Sequence, residues 1–253
     1  MYKHIIGTFF LLSLFQPCAI AKELRVAVAS NFHHALTLLS RQFEQETGIK
    51  VKLSSGASGL LYAQVVRGAP FDLFFSADVE RPELLESQGL TTNRNTYVYG
   101  RIALWSPQSK AIVGQSFLTN FDQRLAIANP RLAPYGKAAE QTLAYLKLST
   151  KFNSTLILGN NINQTFQFVD SGNVLAGFVA YSLLKNQSIN NNYWLVPQTF
   201  HGPIAQQVVL LKASKHKKAA QALLEFILSA STQTKLQTMG YSSVNKAIAL
   251  GAI

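Results

Sequence analysis

Cysteine is almost missing from this 253-residue sequence, which holds only Cys18. That residue lies in the apolar N-terminal stretch, so the remainder of the chain can form no disulfide and carries no thiol. Such a chain suits an oxidising compartment and depends on its hydrophobic core for stability. Hydrophobic residues make up 48% of the sequence, which is sufficient for that core.

Acidic residues are also scarce: 12 Asp and Glu stand against 23 Lys and Arg, for a formal net charge of +11. This balance favours anionic partners. The cations are scattered, and the densest run, at 212–218, adjoins a helical pattern and is expected to be a solvated helix end. We therefore expect no nucleic acid partner, and we expect the positive charge to steer a small anion toward a cleft.

Catalytic motifs are absent as well, since the sequence has no G-x-S-x-G, H-E-x-x-H or P-loop pattern. His33 and His34 are neighbours on a predicted helix and point about 100° apart, so they cannot readily share a metal ion. Asp72 and Asp78 could be an acid/base pair, but Asp72 enters an apolar strand and Asp78 is expected to cap a helix beginning near Pro82. We expect no enzyme, no cofactor and no metal-cation site.

The N-terminus has the pattern of a secretory signal. A basic start is followed by an apolar run at 5–15 and by Ala19-Ile20-Ala21, which predicts a cleaved signal peptide over residues 1–21. The run is too short for a stable membrane-spanning helix. A lipoprotein anchored through Cys18 is the alternative, but the bulky residues before it do not favour lipid modification.

Alternating strand and helix patterns predict an α/β fold with parallel sheets. Strands are predicted at 23–29, 49–53, 71–75, 97–105, 125–128, 156–158, 176–180 and 204–211. Helices are predicted from residue 31 to Gly48 and at 60–66, 82–88, 138–147, 162–169, 217–228 and 231–239. The order predicts two α/β lobes, the second inserted into the first: lobe I would be 22–99 and 204–253, and lobe II would be 100–203. The chain would cross over near residues 97–101 and return near 201–205, and two crossing strands make a natural hinge.

Four predicted strands end in small polar residues directly before a helix. Helix N-termini carry free N–H groups and partial positive charge, and they bind anions without a formal cation. In open α/β sheets the binding crevice lies beyond the carboxyl ends of the strands. Ser30, Asn31 and Ser58 are short hydrogen-bond donors at positions where helix caps are expected. Two turns from each lobe would therefore surround a small anion.

The same turns resemble a known family. The segments ASNF at 29–32, SSGASG at 54–59, GAPFDLFFSAD at 68–78, NPRLAPYG at 129–136 and GFVA at 177–180 are similar to those of ModA-type molybdate-binding proteins of ABC transporters. The resemblance covers nearly the whole chain after the signal. It implies a type II periplasmic binding protein fold, with two α/β lobes joined by two crossover segments. It also implies a monomer in the periplasm that delivers its ligand to an ABC permease with its ATPase.

The resemblance further implies which residues hold the ligand, a molybdate or tungstate ion. Ser30 and Asn31 match the first ligand turn and Ser58 matches the second, while Tyr135 and Ile162 match positions that give mainly backbone N–H groups. Some family members have a ligand tyrosine where this sequence has Ala180. Tyr181, the next residue, is therefore left out of the predicted site.

Three alternatives stay open at this point. The ligand could be another tetrahedral oxyanion, sulfate or phosphate, because the sequence does not reveal the cavity radius. The chain could be an enzyme on the same fold that acts on an anionic substrate, or a receptor subunit that feeds a signalling partner.

From the sequence, the substitution Ser58→Ala is expected to weaken anion binding with little effect on the stability of the free protein.

Overall fold

The computed structural model describes residues 23–242. The predicted signal peptide at 1–21 and the last eleven residues of predicted lobe I, 243–253, lie outside the described residues. Within 23–242, no helix is both long enough and apolar enough to cross a membrane.

Strands and helices alternate along most of this range, as the sequence predicts. The strands are β1 (Glu23–Ala29), β2 (Lys50–Gly56), β3 (Leu73–Phe75), β4 (Thr91–Gly100), β5 (Ile102–Trp105), β6 (Leu125–Ala128), β7 (Leu156–Gly159), β8 (Ala176–Ala180), β9 (Tyr193–Leu195) and β10 (Ile204–Leu211). The helices are α1 (His33–Thr47), α2 (Ser58–Val66), α3 (Glu80–Ser87), α4 (Gln115–Asn120), α5 (Pro134–Tyr145), α6 (Ser149–Phe152), α7 (Ile162–Asp170), α8 (Tyr181–Asn186), α9 (Lys217–Leu228) and α10 (Ala230–Thr238). Short 3-10 turns cover Ser30–Phe32 and Gln198–Phe200.

The strands form two mixed five-stranded sheets. The first has the order β2-β1-β3-β10-β4 and the second the order β7-β6-β8-β5-β9. In the first sheet β1 is parallel to β2 and β3, while β10 is antiparallel to β3 and β4. The second sheet repeats this scheme, with β6 parallel to β7 and β8 and with β5 antiparallel to β8 and β9. The predicted two-lobed α/β fold is confirmed. We call the half built on the first sheet lobe I and the half built on the second sheet lobe II; the exact residues of the division stay a prediction.

The chain passes between the sheets at Arg101. The sequence predicts a long β-rich run over 97–105 with a crossover near 97–101. The structure divides this run into two strands, because their neighbours belong to different sheets. Gly100 pairs with Ile204 in the first sheet, whereas Ile102 pairs with Ala180 in the second. The return passage ends where β10 begins at Ile204.

Each lobe has its own hydrophobic core, and the two lobes are in contact. In lobe I, α1 buries Leu36, Leu39 and Phe43 at helical spacing against the first sheet. In lobe II, the core surrounds β5, β6 and β8. Ala29 and Ala77 of lobe I are buried in that second core. The lobes therefore touch across the cleft.

Four short elements, α4, α6, α8 and β9, were not predicted. None is longer than six residues. A segment of this length spans fewer than two helical turns, so it shows no repeat of the 3.6-residue period on which a prediction depends.

Candidate functional site

All five residues predicted to bind an ion are buried and lie at the beginning of a helix or turn. Ser30 and Asn31 form the 3-10 turn that follows β1. Ser58 is the first residue of α2, Tyr135 the second residue of α5 and Ile162 the first residue of α7. Each of these turns follows a strand of a largely parallel group, β1, β2, β6 or β7, at the strand's carboxyl end.

Three of the four helices that begin at the predicted turns lack a side-chain cap. The N-cap residues of α1, α2 and α5 are Phe32, Ala57 and Ala133, and none of them accepts a hydrogen bond through its side chain. Ser30, Asn31 and Ser58 thus do not occupy the N-cap positions predicted for them, because each helix begins at a different residue from the one predicted. The backbone N–H groups of Ser58 in α2 and Tyr135 in α5 therefore remain available for another acceptor.

Helix α7 has a cap that still leaves its first N–H group free. The Asn161 side-chain oxygen accepts from the N–H groups of Asn163 and Gln164, each over 3.0 Å. Within residues 23–242, the backbone N–H groups of Ser58, Tyr135 and Ile162 find no acceptor. Buried N–H groups without a partner are rare and costly, so three of them at neighbouring turns indicate a place for an anion.

Several contacts link these turns across the cleft. The side-chain nitrogen of Asn31, Nδ2, lies 3.4 Å from the hydroxyl oxygen of Tyr135. The N–H group of Gly59, next to Ser58, donates to the carbonyl of Leu132 over 3.0 Å. Cα atoms of the Ser30–Phe32 turn lie within 8 Å of Cα atoms in α7. The structure therefore brings the predicted turns of both lobes together.

The serine and asparagine side chains differ in what they already bind. Ser58 Oγ accepts a buried hydrogen bond of 2.9 Å from the Ala77 N–H group. Ser30 Oγ bonds to no other residue within 23–242. The Asn31 side chain donates to Gln206 Oε1 over 2.9 Å, so its side-chain N–H group already has a partner within the protein.

Sequence reasoning missed three residues beside the site: Gln206, Tyr97 and Tyr241. Gln206 is completely buried and accepts from Tyr97 Oη over 2.9 Å. Tyr241 Oη donates to the backbone carbonyl of Asn31 over 2.7 Å and so anchors the first turn. One signal was available, since Gln206 and Gln207 interrupt the otherwise apolar strand β10. A polar pair inside a buried strand points to a polar partner.

The side chains that hydrogen-bond to the five predicted residues are uncharged. Burial raises the pKa of Tyr135 and of Tyr97 well above the ordinary value of 10.0, with nearby tyrosines adding to the shift. Both phenols therefore keep their protons. No Lys, Arg, Asp or Glu side chain within 23–242 hydrogen-bonds to any of the five predicted residues. Charges are found instead along a cavity of about 720 Å³ between the lobes, whose lining includes Glu80, Arg81, Arg131, Lys137 and Glu140.

Arg81 spans this cavity between the lobes. It forms an ion pair with Asp78, and its Nη2 donates to the carbonyl of Arg131 in lobe II over 3.0 Å. Asp78 also accepts from the Arg81 N–H group in the first turn of α3. Its carboxylate is therefore used within the protein.

The other candidates from the sequence also have structural partners. Asp72 is buried and accepts from Ser214 Oγ and from the Arg25 N–H group. Tyr181 has its ring beneath the guanidinium of Arg101, 5.4 Å from the centroid, and its omission from the site stays a prediction. Within residues 23–242, no three His, Cys, Asp or Glu side chains form a group that could hold a metal ion.

Two facing α/β lobes, with helix N-termini directed at the cleft between them, define a solute-binding protein. The chain belongs to the family of bacterial extracellular solute-binding proteins, whose model matches residues 24–242. Among its relatives are the molybdate-binding proteins ModA of Azotobacter vinelandii and Rhodobacter capsulatus. The former is 39% identical over 88% of this chain and 91% of the relative. The latter is 34% identical over 88% of this chain and 89% of the relative.

Solved structures agree with this assignment. The periplasmic molybdate-binding protein of Azotobacter vinelandii superposes with a TM-score of 0.82 at 34% identity, covering 86% of this chain and 98% of that chain. The sulfate-binding protein SubI of Mycobacterium tuberculosis superposes with a TM-score of 0.75 at 14% identity, covering 91% of this chain and 90% of that chain, and so shares the fold. The predicted resemblance to ModA-type proteins is confirmed.

Proposed function

We propose that this protein captures molybdate between its two lobes in the periplasm and delivers it to an ABC permease driven by a cytoplasmic ATPase. The observation that carries the proposal is the set of buried, acceptor-free N–H groups at Ser58, Tyr135 and Ile162, which come from both lobes. The names of the two ModA relatives above 30% identity support molybdate as the ligand.

The ion would be held by neutral donors. We propose that Ser30 donates through its hydroxyl group, that Ser58 donates through its hydroxyl and its backbone N–H group, and that Asn31, Tyr135 and Ile162 donate through backbone N–H groups. Ser58 Oγ can do so while it accepts from Ala77, since a hydroxyl both donates and accepts. A hydrogen bond to a charged group contributes about 1.5–3 kcal/mol. Five or six of them are enough for micromolar or tighter binding, about 8 kcal/mol or more, after desolvation of the dianion.

Calorimetric titration of the purified protein with molybdate, tungstate, sulfate and phosphate tests this proposal. We expect molybdate and tungstate to bind with micromolar or lower Kd, and sulfate and phosphate to bind at least a hundredfold more weakly. Sulfate binding as tight as molybdate binding would overturn the ligand assignment. Tungstate is included because it has the same charge and tetrahedral shape as molybdate.

An enzyme on the same fold is the alternative from another class. It would need a general base or nucleophile at the turns. The groups gathered there are hydroxyls, amides and phenols with raised pKa, which favours binding over catalysis. Incubation of the protein with phosphate esters distinguishes a binding protein from an enzyme. A binding protein leaves the ³¹P NMR spectrum of the ester unchanged, whereas an enzyme converts the ester into products with new signals.

The partner proposal has a separate test. We propose that the ligand-bound monomer docks on the permease, because the family consists of solute-binding proteins. The permease and ATPase are co-expressed and placed in liposomes, and their ATP hydrolysis is measured. We expect molybdate-loaded protein to stimulate ATP hydrolysis and protein without molybdate not to do so. Equal ATP hydrolysis with and without the binding protein would refute it.

A further inference from the structure

The hydroxyl group of Tyr135 crosses from lobe II into a polar socket of lobe I. It accepts from Gln206 Nε2 over 3.1 Å and lies 3.4 Å from Asn31 Nδ2. Gln206 Oε1 in turn accepts from Asn31 Nδ2 and from Tyr97 Oη, each over 2.9 Å. All four side chains are buried. We define Asn31 and Gln206 as the socket for the Tyr135 hydroxyl.

The socket belongs to lobe I and the hydroxyl to lobe II. Gln206 lies on β10 of the first sheet, and Asn31 lies in the turn after β1. Tyr135 lies on α5 and packs in the core of lobe II. Any hinge motion that separates the lobes must withdraw the hydroxyl from the socket. The bond between Tyr97 and Gln206, in contrast, joins two strands of lobe I and survives such a motion.

We infer that the Tyr135 hydroxyl is a latch that holds the lobes together around the ligand, with Gln206 as its positioning residue. The inference rests on the proposed function, because it assigns the Tyr135 backbone N–H group to the ion and the side chain to the latch. Tyr135 then couples ligand binding, through its backbone, to closure of the lobes, through its side chain. A ligand that draws the Tyr135 N–H group toward lobe I also places the hydroxyl in its socket, and the differential affinity for the closed state provides the closure energy.

The space around the Tyr135 hydroxyl depends on a glycine at position 100. A Cβ atom at Gly100 would lie 2.3 Å from Tyr135 Oη and 2.7 Å from Gln206 Nε2, so the first crossover has no room for a side chain where the hydroxyl enters. Burial also raises the pKa of Tyr135 far above neutral pH. The latch is therefore a neutral phenol over the whole physiological range, and it does not repel the anion.

Tyr135→Phe tests the latch, because it removes the hydroxyl and keeps both the ring and the backbone N–H group. We expect molybdate to dissociate about tenfold faster in a stopped-flow chase, the factor for losing one to two ordinary hydrogen bonds, with an association rate within twofold of wild type. The radius of gyration of the molybdate-saturated variant in small-angle X-ray scattering should exceed that of saturated wild type. Gln206→Met should act in the same direction, and the double variant should be less than additive.

Tyr97→Phe is the matched control, since it removes a hydrogen bond to the same Gln206 within lobe I. It should lower the melting temperature and leave the dissociation rate within twofold. If Tyr135→Phe and Gln206→Met both release molybdate at the wild-type rate, the latch is refuted. If Tyr97→Phe accelerates release as much as Tyr135→Phe, the network is structural and the latch is equally refuted. If wild type binds no oxyanion at all, the proposed function fails instead, which separates the two failures.

Discussion

The backbone N–H group of Gly59 in lobe I donates to the carbonyl oxygen of Leu132 in lobe II over 3.0 Å. This bond lies one residue from Ser58 and three residues from Tyr135, so the approach of the two backbones sets the spacing of the predicted ligand turns. A Cβ atom on Gly59 would be 3.3 Å from the Leu132 Cα atom and 3.1 Å from Arg81 Nη2. Only a residue without a side chain permits this approach without displacement.

Gly59→Ala is therefore expected to weaken molybdate binding by about 1–2 kcal/mol, the lower part of the range for overpacked contacts. The stability of the free protein should change little, because the lobes can separate slightly to admit the methyl group. Calorimetric titration and thermal unfolding measure the two effects. Gly114→Ala is the matched control, since a Cβ atom there meets nothing within 4 Å. Unchanged affinity of Gly59→Ala would show that the lobes do not need this contact.

Ser30→Ala and Ser58→Ala should separate ligand binding from stability. Each variant loses a hydroxyl group that we propose as a donor to the ion, so each is expected to weaken binding by about 1–3 kcal/mol. Ser58→Ala also leaves the buried Ala77 N–H group without its acceptor, and should lower the free energy of unfolding by about 1–3 kcal/mol. This revises the expectation from sequence that stability would be unaffected. Urea unfolding of both variants gives the comparison; equal stabilities would contradict the role of Ser58 in holding Ala77.

Asn161→Asp should raise stability and lower affinity at once. An aspartate keeps the acceptor for the Asn163 and Gln164 N–H groups and adds a negative charge at the N-terminus of α7, which stabilises a helix by about 0.3–1 kcal/mol. The same charge, next to Ile162, opposes an anion. We expect a higher melting temperature and a severalfold larger Kd for molybdate. Asn161→Ser, a neutral cap, is the control. Tighter binding by the aspartate variant would place the ion away from α7.

His201 should make stability depend on pH. Burial lowers its pKa below the ordinary 6.5, although its bond with the Gly202 carbonyl opposes the shift. Between the lowered pKa and about 6.5, the unfolded chain binds more protons than the folded protein, so the free energy of unfolding falls as the pH drops through this window. His201→Asn, which can keep a donor for the Gly202 carbonyl, should lose less stability between pH 7.5 and pH 5 in urea titrations. An identical loss in both proteins would exclude His201 as the cause.

Prediction from sequence succeeded where a pattern repeats or a motif is local. Helix α1 was recognised because its apolar residues recur at helical spacing, and strand β10 because it is a mostly apolar run. The turns after β1, β2, β6 and β7 were recognised because each is a short segment joined to a strand, and their role as ligand turns stays a prediction. The prediction missed α8 and β9, which are too short to show a period. It placed the crossover near 97–101 but described 97–105 only as one β-rich run, because the break between two strands at Arg101 depends on their neighbours in the two sheets.

The sequence by itself determined the α/β class, the two-lobed family and the residues of the turns, because strand period, helix period and the turn motifs are properties of neighbouring residues. Tertiary structure decided that Ser58 supports Ala77, that the Asn31 side chain binds Gln206, and that Tyr135 reaches from one lobe into the other. The bond from Gln206 to Tyr135 joins residues 71 positions apart in the chain. Such partners are chosen by how the sheets pack, and no local pattern contains that information.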